Sequence, residues 1–208
     1  TEHAETLDIF ATSAIGPCFF KPGSVDDLVE YCAHVAAAAP SKGFYYYHSG
    51  MSGVNLDLEQ FLIKGEQRIP NLYGAKFNNA DLYEYQRSVR VSNGKFDIPF
   101  GVDEFLPAGL AVGAVGAVGS TYNYAAPLYL KIIEAFNHGK HDEVAALMDK
   151  VIAIIRVLVE YGGVAAGKVA MQLHGIDAGN PRLPIRSLND KQKADVLAKM
   201  RDAGFLSI

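Results

Sequence analysis

The stretch "LYGAKFNNADL", Leu72 to Leu82, runs from a short apolar segment into a polar turn and then toward a helix. The apolar part lacks strict alternation, as in a strand covered on both faces, and the Asn/Asp turn marks its end. One residue breaks the pattern. Lys76 occupies a strand position in the middle of this run, where a charged amine is costly unless it has a partner or a purpose.

The same rhythm of apolar run, turn and helical pattern repeats on either side. Five strands are expected, near Ala11 to Pro17, Phe44 to His48, Leu72 to Phe77, Asp97 to Gly101 and Ala114 to Gly119, and each is followed by a helix. The first helix opens at Ser24, a good N-cap with Asp26 and Asp27 behind it, and turns Leu28, Val29, Cys32, Val35 and Ala36 inward before stopping at Pro40. A second starts near Asn55 with Leu58, Phe61 and Leu62 inward. A third starts near Asn79 with Leu82, Tyr85 and Val89 inward, and a fourth carries Phe105, Leu106 and Leu110. Beyond the fifth strand the pattern is wholly helical. Tyr124 to His138, Asp142 to Tyr161, Ala166 to His174 and Asn189 to Ala203 are each followed by a glycine stop.

The 208 residues carry 19 basic and 23 acidic side chains and a net charge of −4. This suits a single domain, read as a β/α part over residues 1–123 and a final helix with a helical extension over 124–208. No basic run invites nucleic acid or an anionic membrane, and the longest apolar stretch is punctuated by Gly, Ser, Thr and Asn, unlike a membrane span. Cys18 and Cys32 form neither a metal spacing nor a disulfide framework, so a reducing, cytoplasmic setting is expected.

Alternating strands and helices allow either a doubly wound sheet or a barrel. Polar and reactive residues gather where strands end, at Tyr47 and His48, Lys76, Asp103 and Glu104, and Ser120 to Asn123. A (β/α)8 TIM barrel builds its site there. No phosphate-cradling glycine loop opens a helix after the first strand, and the glycines of "GAVGAVGS" lie within an apolar strand, so dinucleotide binding is disfavoured.

"GFYYYHSGMSGV", "GAKFNNADL", "FGVDEF" and "GAVGSTYNY" occur in this order, with "AIGPCFFKP" and "VAAAAP" upstream and "GNPRLPI" downstream. Together they resemble the N-acetylneuraminate lyase and dihydrodipicolinate synthase family of class I aldolases over essentially the whole chain. The resemblance implies an α/β fold in which this chain supplies about the last five strand–helix units of a (β/α)8 barrel. It implies that Lys76 forms a Schiff base with the C2 carbonyl of a 2-oxo acid, the surrounding Leu72, Ala75 and Phe77 favouring the neutral amine. Tyr47 is implied to pass protons beside it. For Tyr45 and Tyr46 a plain strand role is expected, since side chains alternate between faces.

Asp103 and Glu104 match the acids that receive hydroxyls of a polyol chain; from residue type alone they read equally as helix-start acids. Gly101, Gly119, Ser120 and Asn78 match further substrate contacts, while Thr121 and Asn123 read equally as turn formers. No cofactor is implied beyond the covalent imine through Lys76. The loop "HSGMSG" has no arginine for a second carboxylate, which, together with the Asp103 and Glu104 pair, favours a neutral polyhydroxylated tail on the substrate. Cleavage of N-acetylneuraminate to N-acetylmannosamine and pyruvate is therefore expected. An aldolase for another 2-keto-3-deoxy sugar acid, or a truncated paralogue acting as a binding or assembly partner, are the alternatives.

Three departures accompany the match. Ser49 and Gly50 stand where relatives have Ile-Pro or Val-Pro, in a loop one residue shorter. Asn78 replaces a Ser or Thr, and Phe19 and Phe20 replace tyrosines of bacterial members. Relatives also carry three further strand–helix units ahead of the matched region, with a Gly-Thr-Thr-Gly-Glu type loop for the pyruvyl carboxylate. Five parallel strands cannot close a barrel set by eight, so a separate N-terminal piece, another copy of the chain, or the rest of a longer enzyme of which this is a fragment is expected to cover the open edges.

Overall fold

The computed structural model describes residues 1–205; the final three positions of the expected C-terminal extension lie outside the described residues. The chain divides into two compact units, one of Thr1–Val102 with Ala108–Val118, the other of Asp103–Pro107 with the chain from Gly119 onward.

In the first unit a single helical turn, α1 (Glu2–Glu5), precedes β1 (Ala11–Ile15), α2 (Val25–Ala37), β2 (Gly43–Ser49), α3 (Leu58–Arg68), β3 (Leu72–Asn78) and α4 (Leu82–Ser88). The strands are parallel and lie in chain order β1-β2-β3. The order continues outward. Single parallel bridges join Gly74 to Asp97, Phe77 to Phe100 and Phe100 to Ala117. A doubly wound sheet reverses its strand order at a switch point, whereas five successive segments without reversal are a run of TIM-barrel units.

Only three of the five expected strands are regular. Asp97–Gly101 still bonds to β3, through Asp97 N–H to Tyr73 O at 3.0 Å, Ala75 N–H to Asp97 O at 3.1 Å and Phe77 N–H to Pro99 O at 3.1 Å. Pro99 has no N–H to contribute to the ladder, and the glycines of the fifth segment weaken strand formation, so both are reduced to bridges. Gly74 makes the close approach possible. A Cβ there would overlap the Asp97 carbonyl oxygen and lie 2.7 Å from its carbon. Gly74→Ala is expected to cost about 3 kcal/mol, seen as a lower midpoint in denaturant unfolding.

The helix starts follow side-chain caps. Ser24 accepts from Asp27 N–H as expected, but α3 and α4 begin later than the turn signals suggest. Asp57 accepts from Gln60 N–H and Asp81 from Glu84 N–H, because a carboxylate at the N-cap satisfies an orphan donor better than the upstream asparagines are placed to do. Leu28, Leu58, Phe61 and Leu62 are fully buried as expected. Burial also pushes the Cys32 thiol up to about 12, which leaves it a packing group. The α4 face differs. Glu84, Tyr85 and Ser88 are buried while Leu82 and Val89 are only half-buried, since Glu84 has buried hydrogen-bond partners described below.

The fourth helix begins as one 3-10 turn at Asp103–Phe105 and continues as α5 (Leu106–Ala111); Leu106 is fully buried, Phe105 and Leu110 half-buried. In the second unit α6 (Tyr122–Asn137), α7 (His141–Tyr161), α8 (Gly163–Ala170) and α9 (Asp190–Asp202) follow. α6 packs on α7, and α7, α8 and α9 pack on one another. The four glycine stops hold: Gly139, Gly162, Gly175 and Gly204 all have φ between 68° and 83°, a region glycine enters without steric cost. Among the described residues no helix is long and apolar enough to cross a membrane.

Candidate active site

Side chains on a strand alternate between faces, and parallel register brings matching faces together. Tyr47 pairs with Ile15 on one side and Lys76 on the other, and Ser49 pairs with Asn78. These residues therefore share one face at the C-terminal ends of β2 and β3. Lys76 Nζ lies over the Tyr47 ring, 4.2 Å from its centroid, and both residues are half-buried. The other tyrosines go elsewhere. Tyr46 is fully buried against Phe61, ring centroids 4.6 Å apart, and the Tyr45 hydroxyl donates to Asp97 Oδ2 at 2.8 Å.

Gly101 closes this group from the next segment. A Cβ at that position would sit 2.8 Å from Phe77 O, 3.0 Å from Lys76 Cε and 3.3 Å from Asn78 Cβ, so only glycine leaves the lysine stem its path. Lys76, Tyr47, Asn78 and Gly101 are thus brought together.

The short loop after β2, where Ser49 departs from the family pattern, is built by two serine hydroxyls, of which Ser52 was not foreseen from the sequence. Ser49 Oγ accepts from Met51 N–H at 3.3 Å and from Asn78 Nδ2 at 3.2 Å. Ser52 Oγ donates to Ser49 O at 2.8 Å and accepts from Val54 N–H at 3.1 Å. Gly53 then turns the chain at φ 69°. The Ser-x-x-Ser spacing was the available signal, because hydroxyls bond nearby backbone in tight turns.

A second cluster lies within the second unit. Asp103, 5% exposed, accepts from the Thr121 amide at 2.9 Å and stands 2.6 Å from the Thr121 hydroxyl, which is 2.7 Å from the Tyr129 hydroxyl. A carboxylate can only accept, so the hydroxyl chain runs from Tyr129 through Thr121 to Asp103. Asp103 Oδ1 is buried without a partner among the described residues, and a Cβ on Gly119 would overlap it. Asp103 thus holds the Thr121 turn, and its second oxygen is buried beside Gly119. Glu104 and Ser120 are exposed. Burial, with Asp103 nearby, pushes the Tyr122 and Tyr124 phenols up, so both stay protonated. Ser120 also borders a cleft of about 300 Å³ lined by Asn123, Tyr124, Val164, Lys168 and Met171. Among the described residues no group of three or more His, Cys, Asp or Glu could hold a metal ion.

The Dihydrodipicolinate synthetase family profile matches residues 1–203. The chain belongs to this family. Within it, N-acetylneuraminate lyase of Rattus norvegicus is 35% identical over 99% of this chain and 66% of its own length. The solved Proteus mirabilis N-acetylneuraminate lyase is 72% identical with a TM-score of 0.96, covering 98% of this chain and 69% of that one. A Ruminococcus gnavus sialic acid aldolase, solved as a catalytic lysine mutant, is 26% identical with a TM-score of 0.87, covering 98% and 68%. This Dihydrodipicolinate synthetase family chain therefore spans about two thirds of the length of the curated relatives it matches.

Proposed function

We propose that the protein is a class I aldolase that cleaves N-acetylneuraminate to N-acetylmannosamine and pyruvate. The observation that carries this reading is the amine of Lys76 over the Tyr47 ring at the C-terminal ends of parallel barrel strands, where such folds do their chemistry. The names of relatives up to 72% identical support the substrate, and the catalytic lysine named for the Ruminococcus gnavus protein supports the lysine.

In this reading the Lys76 amine attacks C2 of the open-chain 2-oxo acid, and loss of water leaves an iminium. Loss of the C4 hydroxyl proton breaks the C3–C4 bond, and its electron pair moves into the iminium to form an enamine. The aldehyde of N-acetylmannosamine departs. A proton returned to C3 and hydrolysis of the imine then release pyruvate and free the amine. Tyr47 carries protons at this centre. By the family resemblance Asn78 and Gly101 are assigned to the pyruvyl part, and Asp103, Glu104, Gly119 and Ser120 to the polyol. This reading assigns no cofactor beyond the covalent imine through Lys76, in a cytoplasmic homo-oligomer.

One observation favours a second reading. Asp103 commits an oxygen to Thr121, leaving fewer acceptors for a long polyol, which suits a shorter 2-keto-3-deoxy sugar acid. Steady-state cleavage of N-acetylneuraminate, measured beside borohydride trapping with pyruvate, separates the cases. Trapping with cleavage supports the lyase; trapping with cleavage only of shorter sugar acids replaces its substrate. Absence of trapping overturns the aldolase.

A further inference from the structure

We infer that His48 and Glu84 are positioning residues that set the Tyr47–Lys76 pair from behind the sheet, a proposal that rests on the imine reading above. His48 follows Tyr47 on β2 and faces the opposite side, 3% exposed; Glu84 projects from α4, 8% exposed. His48 Nε2 lies 3.2 Å from Glu84 Oε2. A carboxylate only accepts, so Nε2 carries the hydrogen in this pair.

Glu84 has a second bond. Its Oε1 accepts from the Leu58 N–H at 2.8 Å, the first amide of α3. One carboxylate thereby ties the end of β2 to the N-termini of two helices. Its own helix cannot roll to expose it without leaving a buried donor and an imidazole unpaired, which is costly in a water-excluded interior.

The link to the reacting pair runs across the register. His48 pairs with Phe77 as Tyr47 pairs with Lys76, and the imidazole is stacked on the Phe77 ring at 5.4 Å and 28°. Phe77 is itself wedged against Tyr85, ring centroids 5.0 Å apart, and the Tyr85 hydroxyl donates to Ile98 O at 2.7 Å. Phe77 and His48 are the chain neighbours of Lys76 and Tyr47. Displacement of the rear pair therefore turns the backbone that aims the front pair. Nothing in the proton chemistry requires His48 or Glu84 to touch substrate.

The test compares His48→Leu, which keeps bulk but cannot donate, with His48→Gln, whose amide restores a donor near the Nε2 position, using protein made from its complete reading frame. Misplacement by a fraction of an ångström predicts that His48→Leu lowers kcat about tenfold to a hundredfold with KM little changed, and that His48→Gln recovers most of it. Equal kcat in wild type and His48→Leu, or equal loss in both variants, overturns the clamp. If His48→Leu does not fold, Glu84→Gln, which keeps the Leu58 bond and alters only the partner offered to His48, carries the same comparison. The rate of Lys76 acetylation, read by mass spectrometry, separates this proposal from the imine reading. Should wild type trap no pyruvate, the aldolase falls, and the clamp then stands if His48→Leu changes that rate and fails if it does not.

Discussion

Lys76→Ala is expected to abolish the borohydride adduct with pyruvate and to lower cleavage of N-acetylneuraminate by about four orders of magnitude or more, because the covalent path loses its nucleophile. Folding should survive. Lys76 is half-buried, and its stem lies beside the space that Gly101 leaves open, so truncation opens room toward the site instead of hollowing the core. Lys76→Met, which keeps the stem, provides the control for packing. Lys64 and Lys95 of the same unit are paired with Asp26 and Glu66, and should carry no adduct in either protein. An adduct of undiminished yield in Lys76→Ala would place the imine elsewhere and end the proposal.

Tyr47→Phe is expected to reduce kcat by about a hundredfold to ten-thousandfold while leaving thermal stability within about 0.5 kcal/mol of wild type. The ring beneath the Lys76 Nζ is retained, so any cation–π contact and the packing persist. Only the hydroxyl goes, and among the described residues it has no hydrogen-bond partner to strand. Pyruvate should still be trapped, more slowly, since imine formation uses the amine that remains. Tyr45→Phe makes the contrast: its hydroxyl is bonded to Asp97, so its loss should register in stability and leave turnover alone. Equal turnover in wild type and Tyr47→Phe would remove the tyrosine from the proton path.

Which face each strand residue takes was legible in the sequence, because local rules govern it. Period-two alternation put Tyr46 on the other face from Tyr47, and the cost of a charge in an apolar strand singled out Lys76. His48 stood out at a strand end, but Glu84 did not, because a buried acid on a short helix looks like an ordinary first-turn carboxylate until its partners from β2 and α3 are in place. Ser49 was legible only as a departure from the family pattern; its hydroxyl bonds, and Ser52 altogether, were not, because they act through a turn only five residues long. Asp103 is the mixed case. Its position at a strand end was legible, whereas the capture of one oxygen by Thr121, eighteen residues on, was not.

The succession of strands and helices is written in local stretches of chain. The caps at Ser24 and Asn189 and the four glycine stops act within a few residues of themselves, so their free energies are set by neighbours in the chain. Which of these pieces meet is set by long-range packing. The register of Tyr47 against Lys76, the turning of α4 to bury Glu84, and the thinning of the fourth and fifth strands to bridges depend on contacts between residues far apart in the chain. Such contacts are selected by packing and by the need to satisfy buried polar groups, conditions that no short window of sequence contains.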